Sequence, residues 1–280
     1  MSVDILQDKI RKTKCPIIVD FALLPEHLPP QLLEGKTETE AMEAYIRSLL
    51  TGLKGKVPGV RFHFDQWAIL DSLPVLRELT AAASDLGFYV LLDGPAVLSP
   101  WAAQRAATLF DGYLVDSMIL CPYAGSDVIK PFLDHCKAGR SVFLAVRTAN
   151  KSAVELQDMM TGSRLVHVAA ADHVKRLGES IVGKCGYSQL GTMTAATSGN
   201  AVMGLRSKYS RMFLLVDGLE AGNANARNAS FAFDNLGGGA LVCSNLLTAW
   251  IENPENDPVE EVVAAAQRMK RNVTTYVTVL

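Results

Sequence analysis

The residues of this 280-residue chain best placed to do chemistry are acids and bases at the ends of apolar runs. Phe88-Tyr89-Val90-Leu91-Leu92 runs into Asp93, a Gly94-Pro95 break follows, and a helix start is predicted near Ser99. Active sites of parallel α/β folds lie at the carboxyl ends of strands, so Asp93 stands where a general acid or base would be useful. It stands alone there, because Pro95, Ala96, Val97 and Leu98 carry no ionisable side chain, and a helix-capping or loop-bonding role competes with catalysis. Arg61, His63 and Asp65 alternate after Val57, which on one strand puts them on one face, and a buried ion pair is the simplest reading of them. His27, His63, His135, His167 and His173 have no H-x-x-x-H spacing, and Cys15, Cys121, Cys136, Cys185 and Cys243 contain no C-x-x-C. Neither a metal site nor a disulfide framework is expected, and no cofactor is implied.

The elements that would carry these residues alternate along the chain. Apolar runs at 15–21, 57–64, 88–93, 112–120, 141–146, 191–194, 212–216 and 240–242 read as buried strands. Helical spacing fills 2–12, 38–53, 70–86, 101–110, a stretch through Cys136, 199–208, 223–235 and 258–271. A further helix beginning near Ala153 extends with interruptions to about Gly178. Eight strands alternating with helices, at a spacing that leaves no room for a second domain, predict an α/β fold. Its form is a single eight-stranded parallel (β/α) TIM barrel over 1–280, with an N-terminal helix and a C-terminal helix plus tail. An open doubly wound sheet is the alternative, but no G-x-G-x-x-G follows the first strand.

Bulk properties narrow the function classes. The chain is 49% hydrophobic and 20% charged with net charge −2, which gives no electrostatic footprint for nucleic acid or an anionic membrane. No apolar signal core or membrane-length apolar run is present, so a cytoplasmic protein with reduced thiols is expected.

Several segments together resemble the orotidine 5'-monophosphate decarboxylases of the long bacterial type, over about Pro16 to Trp250. Pro16-Ile17-Ile18-Val19 with Leu24-Pro25-Glu26 is similar to that family's opening strand and loop, and Val57-Pro58-Gly59-Val60-Arg61 to its second strand. Pro122-Tyr123-Ala124-Gly125-Ser126-Asp127 is close to its Asn-Pro-Tyr segment. Thr148-Ala149-Asn150 with Leu156-Gln157-Asp158 resembles its Thr-Ser-Asn strand end, and Gly186 to Gly191 with Ala196-Thr197 the stretch leading to its Gly-Ala-Thr. The resemblance implies a TIM barrel, a role in UMP synthesis, and a homodimer paired across the barrel mouth.

The chemistry implied by the resemblance needs two lysines and two aspartates at that mouth, and the match departs residue by residue. The first lysine position is Arg61 and the first Asp is kept as Asp93, so these two are the catalytic remnants. The second lysine falls at Pro95, the second Asp at Leu98, the nearby Thr at Ala102 and the ribose-contacting Asp at Ala22. Substrate-binding positions carried over by the resemblance are Thr148, Asn150, Gly218, Glu220, Ser244 and Asn245. In the phosphate loop the family's Gln falls at Gly222 and its Arg at Asn245, while Glu220 and Asp217 add acid. Three readings follow: a pseudoenzyme acting as a binding or regulatory partner; a working decarboxylase; or an enzyme for another small molecule at the mouth, using Arg61, Asp93, Arg147 and Glu220.

Overall fold

The structure is a computed structural model that describes residues 1–220 and 224–278. Eight parallel strands close into a barrel: β1 (Ile17–Asp20), β2 (Gly59–His63), β3 (Tyr89–Asp93), β4 (Ser117–Leu120), β5 (Ser141–Ala145), β6 (Leu190–Ala195), β7 (Leu214–Asp217) and β8 (Ala240–Ser244). Each pairs with its neighbours in sequence, and β1 closes the ring against β8. The expected barrel is therefore the observed fold.

The strands read as unbroken apolar runs because both of their faces are buried. Outward side chains such as Val19, Val60, Val90, Val142 and Val216 pack under the surrounding helices. Inward side chains (Ile18, Leu91, Ile119, Phe143, Phe213, Leu215, Leu241) fill the axis. The inner cluster also takes in Val3, Leu6 and Ile10 of helix α1 (Ser2–Thr13), so α1 stoppers the amino-terminal end of the barrel. Polar bonds fix that stopper: Ser2 Oγ meets the Tyr89 hydroxyl at 2.7 Å, and Gln189 Oε1 accepts from the Val3 amide at 3.1 Å. Gly59 admits no side chain, since a Cβ there would lie 2.3 Å from the Tyr89 carbonyl oxygen.

Helix α2 (Glu38–Leu53) begins at the predicted residue, with Thr37 closing a capping box with Glu40. Helices α3 (Phe64–Ile69), α4 (Leu73–Asp85), α5 (Pro100–Ala107), α6 (Leu109–Gly112), α7 (Leu133–Lys137), α8 (Val166–Gly178), α9 (Gly199–Lys208), α10 (Ala226–Ser230) and α11 (Pro258–Thr274) complete the outer layer.

Several boundaries differ from the sequence reading. The second strand stops at His63, and Phe64 and Asp65 open α3 instead. Residues 112–116 are not strand; Leu114 takes φ +51° and turns the chain into β4. The long interrupted helix from Ala153 is a 3-10 turn (Lys151–Glu155), then a two-stranded ribbon of Met160–Thr161 with Arg164–Leu165, and only then α8. The helix expected over 223–235 shortens to α10, with Asn223 outside the described residues. Among the described residues, no helix is long and apolar enough to cross a membrane.

Candidate functional site

The carboxyl ends of β1, β2, β3 and β7 place a chain of alternating charges across the barrel mouth. Register sets it up: Asp20 lies opposite Arg61, and His63 opposite Asp93. Arg61 Nη2 donates to Asp20 Oδ2 and also lies 3.1 Å from Asp217 Oδ1. The other oxygen of Asp20 takes a 2.6 Å bond from His63 Nε2, and His63 Nδ1 lies 3.4 Å from Asp93 Oδ2. The order across the mouth is thus Asp217, Arg61, Asp20, His63, Asp93.

Burial tightens the inner links. The Arg61 side chain is 4% exposed and that of Asp20 6%, whereas Asp93 keeps 33%. Burial alone would push the Asp20 carboxyl up, but Arg61 and His63 beside it hold it far below the usual carboxylate range. Burial works against the charged His63 imidazole as well, and the Asp20 carboxylate outweighs it, raising the His63 pKa above its ordinary value. Asp93 moves the other way: burial raises its pKa, and His63 and Arg61 only partly offset this. Arg61 also reaches Met193 on β6, with Nη1 3.7 Å from the sulfur. The guanidinium and this buried thioether together occupy the centre of the mouth.

A recess of about 210 Å3 lies at the edge between β2 and β3, lined by His63, Asp65, Gln66, Asp93 and Gly94. It is smaller than the roughly 300–1,000 Å3 of ordinary ligand pockets. Among the described residues no group of three or more His, Cys, Asp or Glu side chains could hold a metal ion.

The other predicted site residues fall into separate bonds. Thr148 donates its hydroxyl to Asn150 Oδ1 at 2.6 Å and its amide to Gln157 Oε1 at 2.8 Å, so these residues shape the loop after β5. Arg147 is bound in bidentate fashion by Asp158, at 2.9 Å on both nitrogens, and bonds Thr197 at 3.1 Å; it is not a link in the Arg61 chain. Gly218, at φ +69°, turns the chain after β7. Glu220 accepts a bond from the Ser244 hydroxyl; loss of water on that side raises its pKa, and Asp217 and Asp20 add like charge. Asn245 spends its amide on the Ala22 carbonyl at 2.8 Å and its oxygen on the Leu247 amide at 3.1 Å. Gly222 lies outside the described residues.

Asp65 is a correction. It stands on α3 rather than on β2, and its carboxylate faces the Ala96 amide at 3.4 Å, because the strand ends two residues earlier than its alternation suggests. Asp20 is the functional residue that sequence reasoning missed. Its signal was parity: it is two residues beyond Ile18, which points into the barrel, so it must point inward as well.

Relatives of known identity share this architecture. The chain is 23% identical to the orotidine 5'-phosphate decarboxylase of Caldicellulosiruptor bescii over 300 aligned positions, covering 98% of both chains. Over 148 positions, about half of each chain, it is 34% identical to the same enzyme from Clostridium kluyveri. The structure of Leishmania donovani OMP decarboxylase superposes with a TM-score of 0.75 at 19% identity, covering 98% of each chain. Plasmodium berghei orotidine 5'-monophosphate decarboxylase superposes at 0.78 with 10% identity, again covering 98% of each. Over its full length the chain is similar to the orotidine 5'-phosphate decarboxylases. No family model matches it. Against that family's pattern, Pro95 sits half-buried just past Asp93, and Leu98 projects from the same loop with 81% of its surface exposed. The loops after β2, β3, β6, β7 and β8 contain no lysine at all.

Proposed function

We propose that this relative of the orotidine 5'-phosphate decarboxylases does not decarboxylate the nucleotide, and that it acts as a binding or regulatory partner, as a homodimer, in the cytoplasm. The observation that carries this reading is Arg61 held between Asp20 and Asp217 in the centre of the mouth. Decarboxylation leaves a carbanion that needs a proton. A guanidinium clamped by two carboxylates is a poor donor, and Pro95 has no proton to give. A reaction at the demanding end of enzymatic rate enhancement requires about 20 kcal/mol of transition-state stabilisation. That comes from preorganised charge at the reacting carbon and from remote binding of the phosphate.

The phosphate side gives the same support. Asn245 is tied to Ala22 and Leu247, and Glu220 and Asp217 put acid where a dianion would approach. Each such charge at about 5 Å and an effective dielectric near 20 costs roughly 3 kcal/mol. The recess between β2 and β3, with Asp93 partly open beside it, supports a second reading in which the mouth holds a ligand smaller than a nucleotide.

The test follows the absorbance of orotidine 5'-monophosphate incubated with purified protein and with the Pro95→Lys variant. Neither is expected to exceed background, because a restored lysine still lacks a phosphate anchor. Turnover by the unmodified protein would refute the reading.

A further inference from the structure

The charge chain across the mouth has one weak link, and it lies over the recess. His63 is gripped from opposite sides: by Asp20 on β1 through Nε2 at 2.6 Å, and by Asp93 on β3 through Nδ1 at 3.4 Å. The first contact is short and its acceptor is buried; the second is long and its acceptor is one-third exposed. Asp20 is further secured by Arg61, which is secured in turn by Asp217. Asp93 has no comparable second anchor, and its contact with His63 is the only ion pair it makes among the described residues.

The geometry points to the His63–Asp93 contact as a proton-controlled latch: a charged imidazolium draws the end of β3 against β2 and narrows the recess, and loss of its proton releases Asp93 and opens it. The charges require this direction. With His63 protonated the mouth alternates as minus, plus, minus, plus, minus from Asp217 to Asp93. With His63 neutral, Asp20 and Asp93 confront each other across an uncharged ring, and only Asp93 is free to turn toward water. The groups facing His63 are Asp20 from β1, Arg61 from its own strand and Asp93 from β3, with Asp65 of α3 on the recess wall. Arg61 opposes the proton, but its charge is already shared between Asp20 and Asp217.

The sign follows. Asp93 is one of the groups that raise the His63 pKa, so the closed latch holds its contact fully below the pKa His63 has with Asp93 released, and loses it as pH rises through the higher pKa of the closed form. The latch is therefore closed in mild acid and opens toward alkaline pH. Backbone bonds at the end of β3 report it. The Gly94 amide donates to the Ile119 carbonyl at 3.0 Å, and the Ala96 amide faces Asp65 at 3.4 Å.

The experiment measures amide hydrogen exchange of Asp93, Gly94, Ala96 and Val97 by NMR across pH 5.5–9, corrected for the intrinsic rate, with the His63 ring nitrogens followed in the same samples. The expected result is steady protection below the His63 midpoint of the Asp93→Asn variant, and a fall as pH rises from there to the His63 midpoint of the unmodified protein. The whole fall is about tenfold for each unit separating the two midpoints, and protection is level beyond it. The Asp93→Asn variant keeps His63 and its Asp20 bond, so it should fold normally, lose the step, and show His63 titrating at lower pH. His63→Gln should show low protection of the same amides at every pH. Protection that follows no inflection at the His63 midpoint, or a step that survives in Asp93→Asn, would overturn the latch. Neither readout involves the nucleotide, so the outcome is independent of whether the protein decarboxylates.

Discussion

Arg61 is the residue on which the mouth depends. A buried guanidinium is tolerated because two carboxylates share it, and removing it leaves Asp217 without an ion-pair partner among the described residues and Asp20 with His63 alone. Arg61→Met, close in length but uncharged, should lower the unfolding free energy by about 3 kcal/mol in urea titration. Adding Asp20→Asn to that variant should recover part of the loss, giving a non-additive cycle; additive losses would mean the pair is not coupled. Asp93 was legible from the sequence because it ends an apolar run, and Arg61 because it alternates with His63 and stands where the resemblance puts a lysine. Their partners were less so. The resemblance directs attention to Ala22 as the position of an expected acid, while the acid that reaches the mouth is Asp20, and only strand parity distinguishes the two. Asp65 looked like the third member of an alternating set because nothing in Phe62-His63-Phe64 marks the point where a strand becomes a helix.

At the scale of elements, the strands were easier to locate than the loops. Parallel strands buried on both faces leave continuous apolar runs, and α2 has a capping box at its start, so both kinds of element can be read locally. The segment after β5 was misread as helix because its Ala, Val and Leu residues have helical spacing, while the ribbon at Met160–Leu165 is set by a turn at Gly162, φ +62°. Helix α1 was predicted, but its place was not: an amphipathic helix carries no label saying which end of a barrel it closes. Its role is testable. Leu6 is fully buried in the inner cluster, so Leu6→Ala should cost about 3 kcal/mol in chemical denaturation, as a core truncation does, rather than the few tenths expected of a surface helix. A loss below 1 kcal/mol would show that α1 is not part of the barrel core.

At the scale of the whole molecule, a closed eight-stranded barrel carries the Asp217–Arg61–Asp20–His63–Asp93 chain across the carboxyl ends of its strands. The loop Pro122-Tyr123-Ala124-Gly125-Ser126-Asp127 keeps its family-like sequence, and the Tyr123 hydroxyl ties it to the carbonyl of Val146. Sedimentation at micromolar concentration is accordingly expected to give a dimer, and a monomer would count against pairing through this face. On the proposed reading a nucleotide would have to displace the Arg61 bridge or bind outside it, with the acid of Asp217 and Glu220 opposing its phosphate either way. The most direct measurement is calorimetric titration of the purified protein with uridine monophosphate near neutral pH. No saturable heat up to millimolar ligand is expected; binding in the micromolar range would contradict a mouth closed to the family's nucleotide.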